Sequence, residues 1–192
     1  MSVTNSTKAL IGLLLAGSVG VIIFLFVHLS SDPSKPLSVG SKAAAACTKG
    51  QRDCLPDVNY TDTQGKAYTP ADLAGKVVVV NFWATWCKPC QKEIPDFSKV
   101  YEKLKAKGLV MLGVMTDSPD NDQLLNFQSD YDMLYPVVRA NSDILVSYSY
   151  PDALPTTYVF DRGGKQVFSH VGPLHAEKLE MILAPLLAQS VN

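Results

Sequence analysis

Three hydrophobic regimes divide the chain. From Ala9 to Leu29, 21 successive residues include no Asp, Glu, Lys or Arg. At a rise of about 1.5 Å per residue this run spans roughly 30 Å, the thickness of a bilayer's hydrocarbon core. It predicts a transmembrane anchor behind a short tail, residues 1–8. A cleaved signal peptide is the alternative, although it calls for a shorter apolar run and an adjacent cleavage site. A lipoprotein signal ending at Ala44-Ala45-Ala46-Cys47 is a further one. Residues 30–46 then drop all aromatic side chains in favour of Ser, Pro, Lys and Ala, and read as a tether.

The third regime, residues 47–192, alternates short apolar runs with helical spacing. Val77 to Trp83 begins with four valines and reads as a strand buried on both faces, as does Leu109 to Met115. Between them Ile94, Phe97, Tyr101 and Leu104 recur at helical intervals. They predict a helix over 89–107, kinked at Pro95 and ended by Gly108. Further helices are predicted over 119–127, from Ser142 or Asp143 through Tyr148, and over 175–187. A helical turn over 69–74 precedes Gly75. Hairpins are expected about Gln64-Gly65 and about Arg162-Gly163-Gly164, and a short strand over 136–139. Strands alternating with helices imply an α/β three-layer sandwich around a mixed central sheet, in one domain.

Charge narrows the partners. With 17 basic and 18 acidic residues the net charge is -1, and no basic excess points to nucleic acid. The basic residues nearest the anchor, Lys8 before it and Lys35, Lys42 and Lys49 after it, weakly favour placing the domain in the cytoplasm. The four cysteines favour the opposite side, because an anchored dithiol domain with a second cysteine pair suits an oxidising compartment.

Trp86-Cys87-Lys88-Pro89-Cys90 carries the candidate chemistry. The pair sits where a buried strand hands over to a helix. A helix N-terminus offers unpaired N–H groups and partial positive charge, which favour a thiolate. Cys87, nearest that terminus and beside Lys88, is the expected nucleophile and the more exposed sulfur; Cys90, one turn in, is the resolving thiol. Glu93 lies one turn beyond Cys90 on the same face. A carboxylate there would take the Cys90 proton, and the alternative is an ordinary solvated glutamate. Cys47 and Cys54 close a loop of eight residues and read first as a structural disulfide, with a second redox pair or a bridge to another chain as alternatives. Their spacing is unusual for zinc, no metal is expected, and the chemistry calls for no cofactor. His170 and His175 read as surface or packing residues.

Trp86-Cys87-Lys88-Pro89-Cys90 after a hydrophobic strand resembles the thioredoxin superfamily, and the run Asn81-Phe82-Trp83-Ala84-Thr85-Trp86-Cys87, followed by Glu93-Ile94-Pro95, narrows the likeness. Within it the chain is similar to membrane-tethered TlpA/ResA-like oxidoreductases, as is Asp72-Leu73-Ala74-Gly75-Lys76 upstream. Asn81 stands where thioredoxins proper carry a buried Asp. Leu154-Pro155-Thr156-Thr157 resembles the cis-proline segment that faces the disulfide in that superfamily. The resemblance covers about Pro56 to Leu187. It implies a thioredoxin-like fold with an insertion near 115–138. Dithiol–disulfide exchange outside the cytoplasm is implied too, often on apocytochromes or other exported thiols. Cys87, Cys90, Glu93 and Pro155 are then the catalytic set, with Trp86, Lys88, Pro89, Leu154 and Thr156 on the substrate side. Exported protein thiols or disulfides and a membrane electron donor are the implied partners, and a single-pass place in a bacterial inner membrane, with the domain in the periplasm, is the implied location. A Cu(I) carrier using Cys87, Cys90 and a histidine is the main alternative, and a peroxide-reducing enzyme of related fold a third.

Overall fold

The computed structural model describes Phe24, Cys47 and residues 53–189. The expected anchor and tether lie outside the described residues, apart from Phe24, which is helical. Among the described residues no helix is long and apolar enough to cross a membrane. Cys47 and residues 53–189 belong to one compact unit.

The sheet that organises this unit follows from strand composition. β3 (Val77–Trp83) is buried at every residue and pairs in parallel with β4 (Leu109–Met115), Val77 opposite Leu109 and Trp83 opposite Met115. β5 (Val137–Arg139) continues the parallel half beyond β4. β6 (Thr156–Phe160) flanks β3 on its other side in antiparallel sense, and β7 (Gln166–Val171) completes the order β5-β4-β3-β6-β7. The mixed sheet expected from the sequence is thus present. A small antiparallel pair, β1 (Tyr60–Thr61) and β2 (Ala67–Tyr68), turns at Gly65, whose φ of 86° suits glycine.

Successive side chains of a strand point to opposite faces. Val77, Val79 and Trp83 therefore join one core cluster with Ile94, Phe97 and Leu179. Val78, Val80 and Phe82 join the other with Tyr60, Leu73, Ile144 and Tyr148. The first face is covered by α2 (Lys88–Leu104) and α5 (Ala176–Ala188). The second is covered by the β1–β2 pair, α1 (Pro70–Leu73) and α4 (Ser142–Ser147). Asn81 shares the parity of Val79 and Trp83 and is buried on the α2 face.

Two helix starts differ from expectation, each because a side chain caps the backbone more strongly than the apolar pattern showed, while the long helix closes at Gly108 as expected. α3 (Asn121–Asp130) starts after Asp120, which forms a reciprocal capping box with Gln123. α4 is capped by Asn141 rather than Ser142 or Asp143. α2 runs on through Pro95 to Leu104, then tightens into a 3₁₀ turn, Lys105–Lys107, before Gly108 closes it at φ 94°.

Candidate active site

Cys87 is the N-cap of α2, and the Cys90 N–H donates to its Sγ at 3.2 Å. The helix thus spends one of its unpaired donors on the sulfur, which is the arrangement that stabilises a thiolate. The two sulfurs are joined in a disulfide. In this oxidised state both residues are buried: Cys87 keeps 3% exposure and Cys90 none, so the expected contrast in access is small.

Thr85, two residues ahead, is held from two sides. Its N–H donates to Asp117 Oδ2 at 3.1 Å and its hydroxyl donates to the same oxygen. Gln91 Nε2 donates to its carbonyl at 2.6 Å. The loop entering α2 is therefore clamped both to the helix it starts and to the end of β4. The sequence reading missed Asp117. The available signal was its place just past a parallel strand's C-terminal end, where α/β folds gather site residues.

Glu93 is the second feature. It is 1% exposed on the sheet-facing side of α2. Asn81 Nδ2 donates to Oε1 at 2.9 Å, and the Leu174 N–H donates to Oε2 at 2.9 Å. Burial raises its pKa to about 7, and the two donors offset only part of that rise. Tyr135 lies in the same apolar cluster; burial and then the Glu93 charge push its phenol well above the usual range. A carboxyl that exchanges a proton near neutral pH, one turn from the resolving cysteine, suits thiol deprotonation. The solvated-glutamate alternative does not describe this residue.

The third wall is the Leu154–Pro155 peptide, which is cis. β6 begins at Thr156 opposite Phe82, which sets Pro155 on the next rung, level with Trp83 at the end of β3 that leads to Cys87. Leu154 packs against the cluster containing Cys87 and Cys90. Its N–H and C=O have no hydrogen-bond partner among the described residues. Trp86 is 68% exposed, and Lys88 and Pro89 are exposed beside it. Thr156 is placed differently from a surface contact: it is buried, and its hydroxyl donates back to the Ala153 carbonyl at 2.7 Å. Trp83 is plain core, stacked on Phe127.

Cys47 and Cys54 form the second disulfide. It stands at the opposite pole. Cys54 bridges Lys165, Leu55 N donates to Gly164 O at 2.7 Å, and Gln166 N donates to Asp53 O at 2.8 Å. The β6–β7 turn lies beyond Phe160, which pairs with Val78. The length of β3, about 20 Å at 3.3 Å per residue, separates this turn from the Cys87–Cys90 pair. His175 is exposed and lies 3.5 Å from Asp96. Among the described residues no group of three or more His, Cys, Asp or Glu could hold a metal ion.

Comparison with known proteins gives a consistent picture. Residues 52–167 match the model of the AhpC/TSA family. The thiol-disulfide oxidoreductase ResA of a Bacillus cereus strain is 34% identical over 174 residues, covering 90% of this chain and 91% of that protein. The thioredoxin-like protein YneN of Bacillus subtilis is 31% identical over 144 residues, 74% of this chain and 83% of that protein. Among solved structures, a thiol:disulfide interchange protein of the thioredoxin family from Chlorobium tepidum superposes with a TM-score of 0.65. It is 27% identical and covers 73% of this chain and all of that one.

Proposed function

The chain belongs to the AhpC/TSA family and, within it, to the ResA-like thiol–disulfide oxidoreductases, and on that premise we propose that it works as a disulfide reductase on exported proteins, outside the cytoplasm. The observation that carries this reading is the buried Glu93 behind Cys90. A base at that position takes the Cys90 proton when the mixed disulfide resolves, and the same carboxyl returns it in the reverse step, so it supports exchange at this pair while the reduction potential sets the direction.

Cys87 thiolate attacks one sulfur of the partner's disulfide, forming a mixed disulfide and releasing the partner's first thiolate. Glu93 takes the Cys90 proton. The Cys90 thiolate then attacks Cys87 Sγ, releasing the second partner sulfur and leaving the Cys87–Cys90 disulfide. The partner leaves with two electrons and becomes a dithiol. A membrane-borne dithiol donor resets the pair by the same exchange. The partner chain lies extended against Leu154, whose unpaired backbone groups offer strand-like hydrogen bonds, with Trp86 and Pro89 as an apolar rim. Apocytochromes awaiting haem attachment, which need reduced cysteines, are one such partner class.

The uncharged run from Ala9 to Leu29 anchors the domain in the bacterial inner membrane in this reading, and residues 30–46 hold it off the surface. The reduction potential of the Cys87–Cys90 pair tests the direction. A value near -270 mV supports the reductase, and one near -120 mV overturns it in favour of an oxidase. Protease protection of the domain in right-side-out and inverted vesicles tests the location.

A further inference from the structure

Both oxygens of Glu93 are held by donors that lead back to the same place. Oε1 accepts from Asn81 Nδ2, and that same nitrogen lies 3.1 Å from Thr157 Oγ1. Thr157 follows Pro155 by two residues on β6. Oε2 accepts from the Leu174 N–H, and two residues earlier the Gly172 N–H donates to the Pro155 carbonyl at 2.8 Å. Gly172 has a φ of 110°, so this short loop turns sharply between its two bonds. The carboxylate of α2 is therefore tied twice to the cis-proline segment, once through β3 and once through the loop after β7.

We propose that a partner strand docking on Leu154–Pro155 is reported to Glu93 through these two bridges, so that the proton acceptor of Cys90 is tuned by the presence of the partner. This regulation rests on the exchange reading given above. The unpaired backbone of Leu154 is where a strand would pull. Displacing Leu154–Pro155 outward draws Thr157 from Asn81 and Gly172 from its carbonyl, which loosens both donors on Glu93. A buried carboxylate with weaker donors binds its proton more tightly. Docking thus strengthens the base at the moment when Cys90 has to lose a proton. Without a partner the firm donors keep Glu93 a weaker base, and Cys90 stays a thiol.

The groups that titrate around Glu93 are few. Its own helix contributes Cys87 and Cys90, and the segment entering β5 contributes Tyr135. β3 and β6 present only Asn81 and Thr157, which are neutral. The loop after β7 presents the Leu174 N–H, and its His175 contacts Asp96 instead.

The test uses the full chain in mild detergent with Cys90→Ser, capped at Cys87 through a disulfide. One sample carries a methanethiol cap and the other a nine-residue extended peptide, so only the docked strand differs. The Glu93 carboxyl is followed by ¹³C NMR between pH 5 and 9. The expected result is a midpoint higher by about half a pH unit or more in the peptide-capped sample. With Thr157→Val added, at least half of that difference should vanish. Equal midpoints for the two caps would overturn the proposal. So would an unchanged difference in the Thr157→Val chain, because the shift would then come from covering alone. Failure of Cys87 to take the peptide at all would instead defeat the exchange reading, and the proposal with it.

Discussion

At one end of β3 the Cys87–Cys90 disulfide caps a long helix, backs onto a buried carboxyl and faces a peptide whose hydrogen-bonding groups are unused. At the other end the Cys47–Cys54 disulfide closes a loop against the β6–β7 turn, amid backbone bonds that are already made. The two bonds are chemically the same. What differs is their surroundings: a donor for a thiolate, a buried carboxyl and an open edge at one pole, and a β-bridge with paired backbone groups at the other. A disulfide is made reactive by its neighbours, and the second one lies too far away to exchange with the first.

The largest effect that would sharpen this contrast is on exchange itself. Cys87→Ser should reduce turnover of a disulfide-bonded peptide by on the order of 10³-fold or more, because the nucleophile is gone. The double variant Cys47→Ser/Cys54→Ser should keep its rate within about twofold. Loss of exchange in that double variant would break the division of labour between the poles.

Glu93 gives the next effects. Glu93→Gln should slow resolution of the mixed disulfide by about 10²-fold and remove the limb of the pH–rate profile near neutrality. Stability carries a second signature. The folded protein binds the Glu93 proton more tightly than the unfolded chain, with a midpoint at about 7 against an ordinary 4.5. Its contribution is therefore complete below pH 4.5 and lost as pH climbs through 7. Wild type should lose on the order of 3 kcal/mol more than Glu93→Gln across that window, read from urea midpoints at each pH. At the distal pole, opening Cys47–Cys54 should lower stability by about 2.5 kcal/mol, the chain-entropy value for a loop of eight residues, with no such pH dependence.

The bounds of β3 and β4 were legible because β3 is buried at every residue and β4 at all but the half-buried Val110, so apolarity marked their ends. The dithiol's place at a helix start was legible because Cys87 directly follows the strand and its loop. The partners of Glu93 were not. Asn81 reads as a neutral residue in an apolar run, and only the strand's parity turns it towards α2. The Leu174 N–H lies 81 residues from Glu93, and a backbone donor has no sequence signature. The cis-proline segment was legible only through its likeness to a known family. Its pairing partner, Phe82 opposite Thr156, is a fact of the antiparallel register.

Arg162 shows the same limit at the distal pole and gives the smallest effect. The sequence offers it only as a turn residue beside Gly163-Gly164. In the fold its Nη1 donates to Gly75 O at 2.8 Å, and its Nη2 donates to Lys107 O at 3.1 Å and Leu187 O at 3.2 Å. Those carbonyls lie in the turn just after α1, at the end of the 3₁₀ turn and in the last turn of α5, so one cation ties a turn to the negative ends of two helical segments. Gly108 makes room for it: a Cβ there would lie 3.1 Å from Nη1. Arg162→Met keeps much of the stem's packing but leaves those carbonyls without their cation, and should cost about 2 kcal/mol in urea unfolding. Arg162→Lys, which cannot fork, should recover less than half of that. Exchange turnover should stay at the wild-type rate in both, since this pole holds the domain together without touching the dithiol. A drop in turnover that outran the loss of folded protein would show that the two poles are coupled after all.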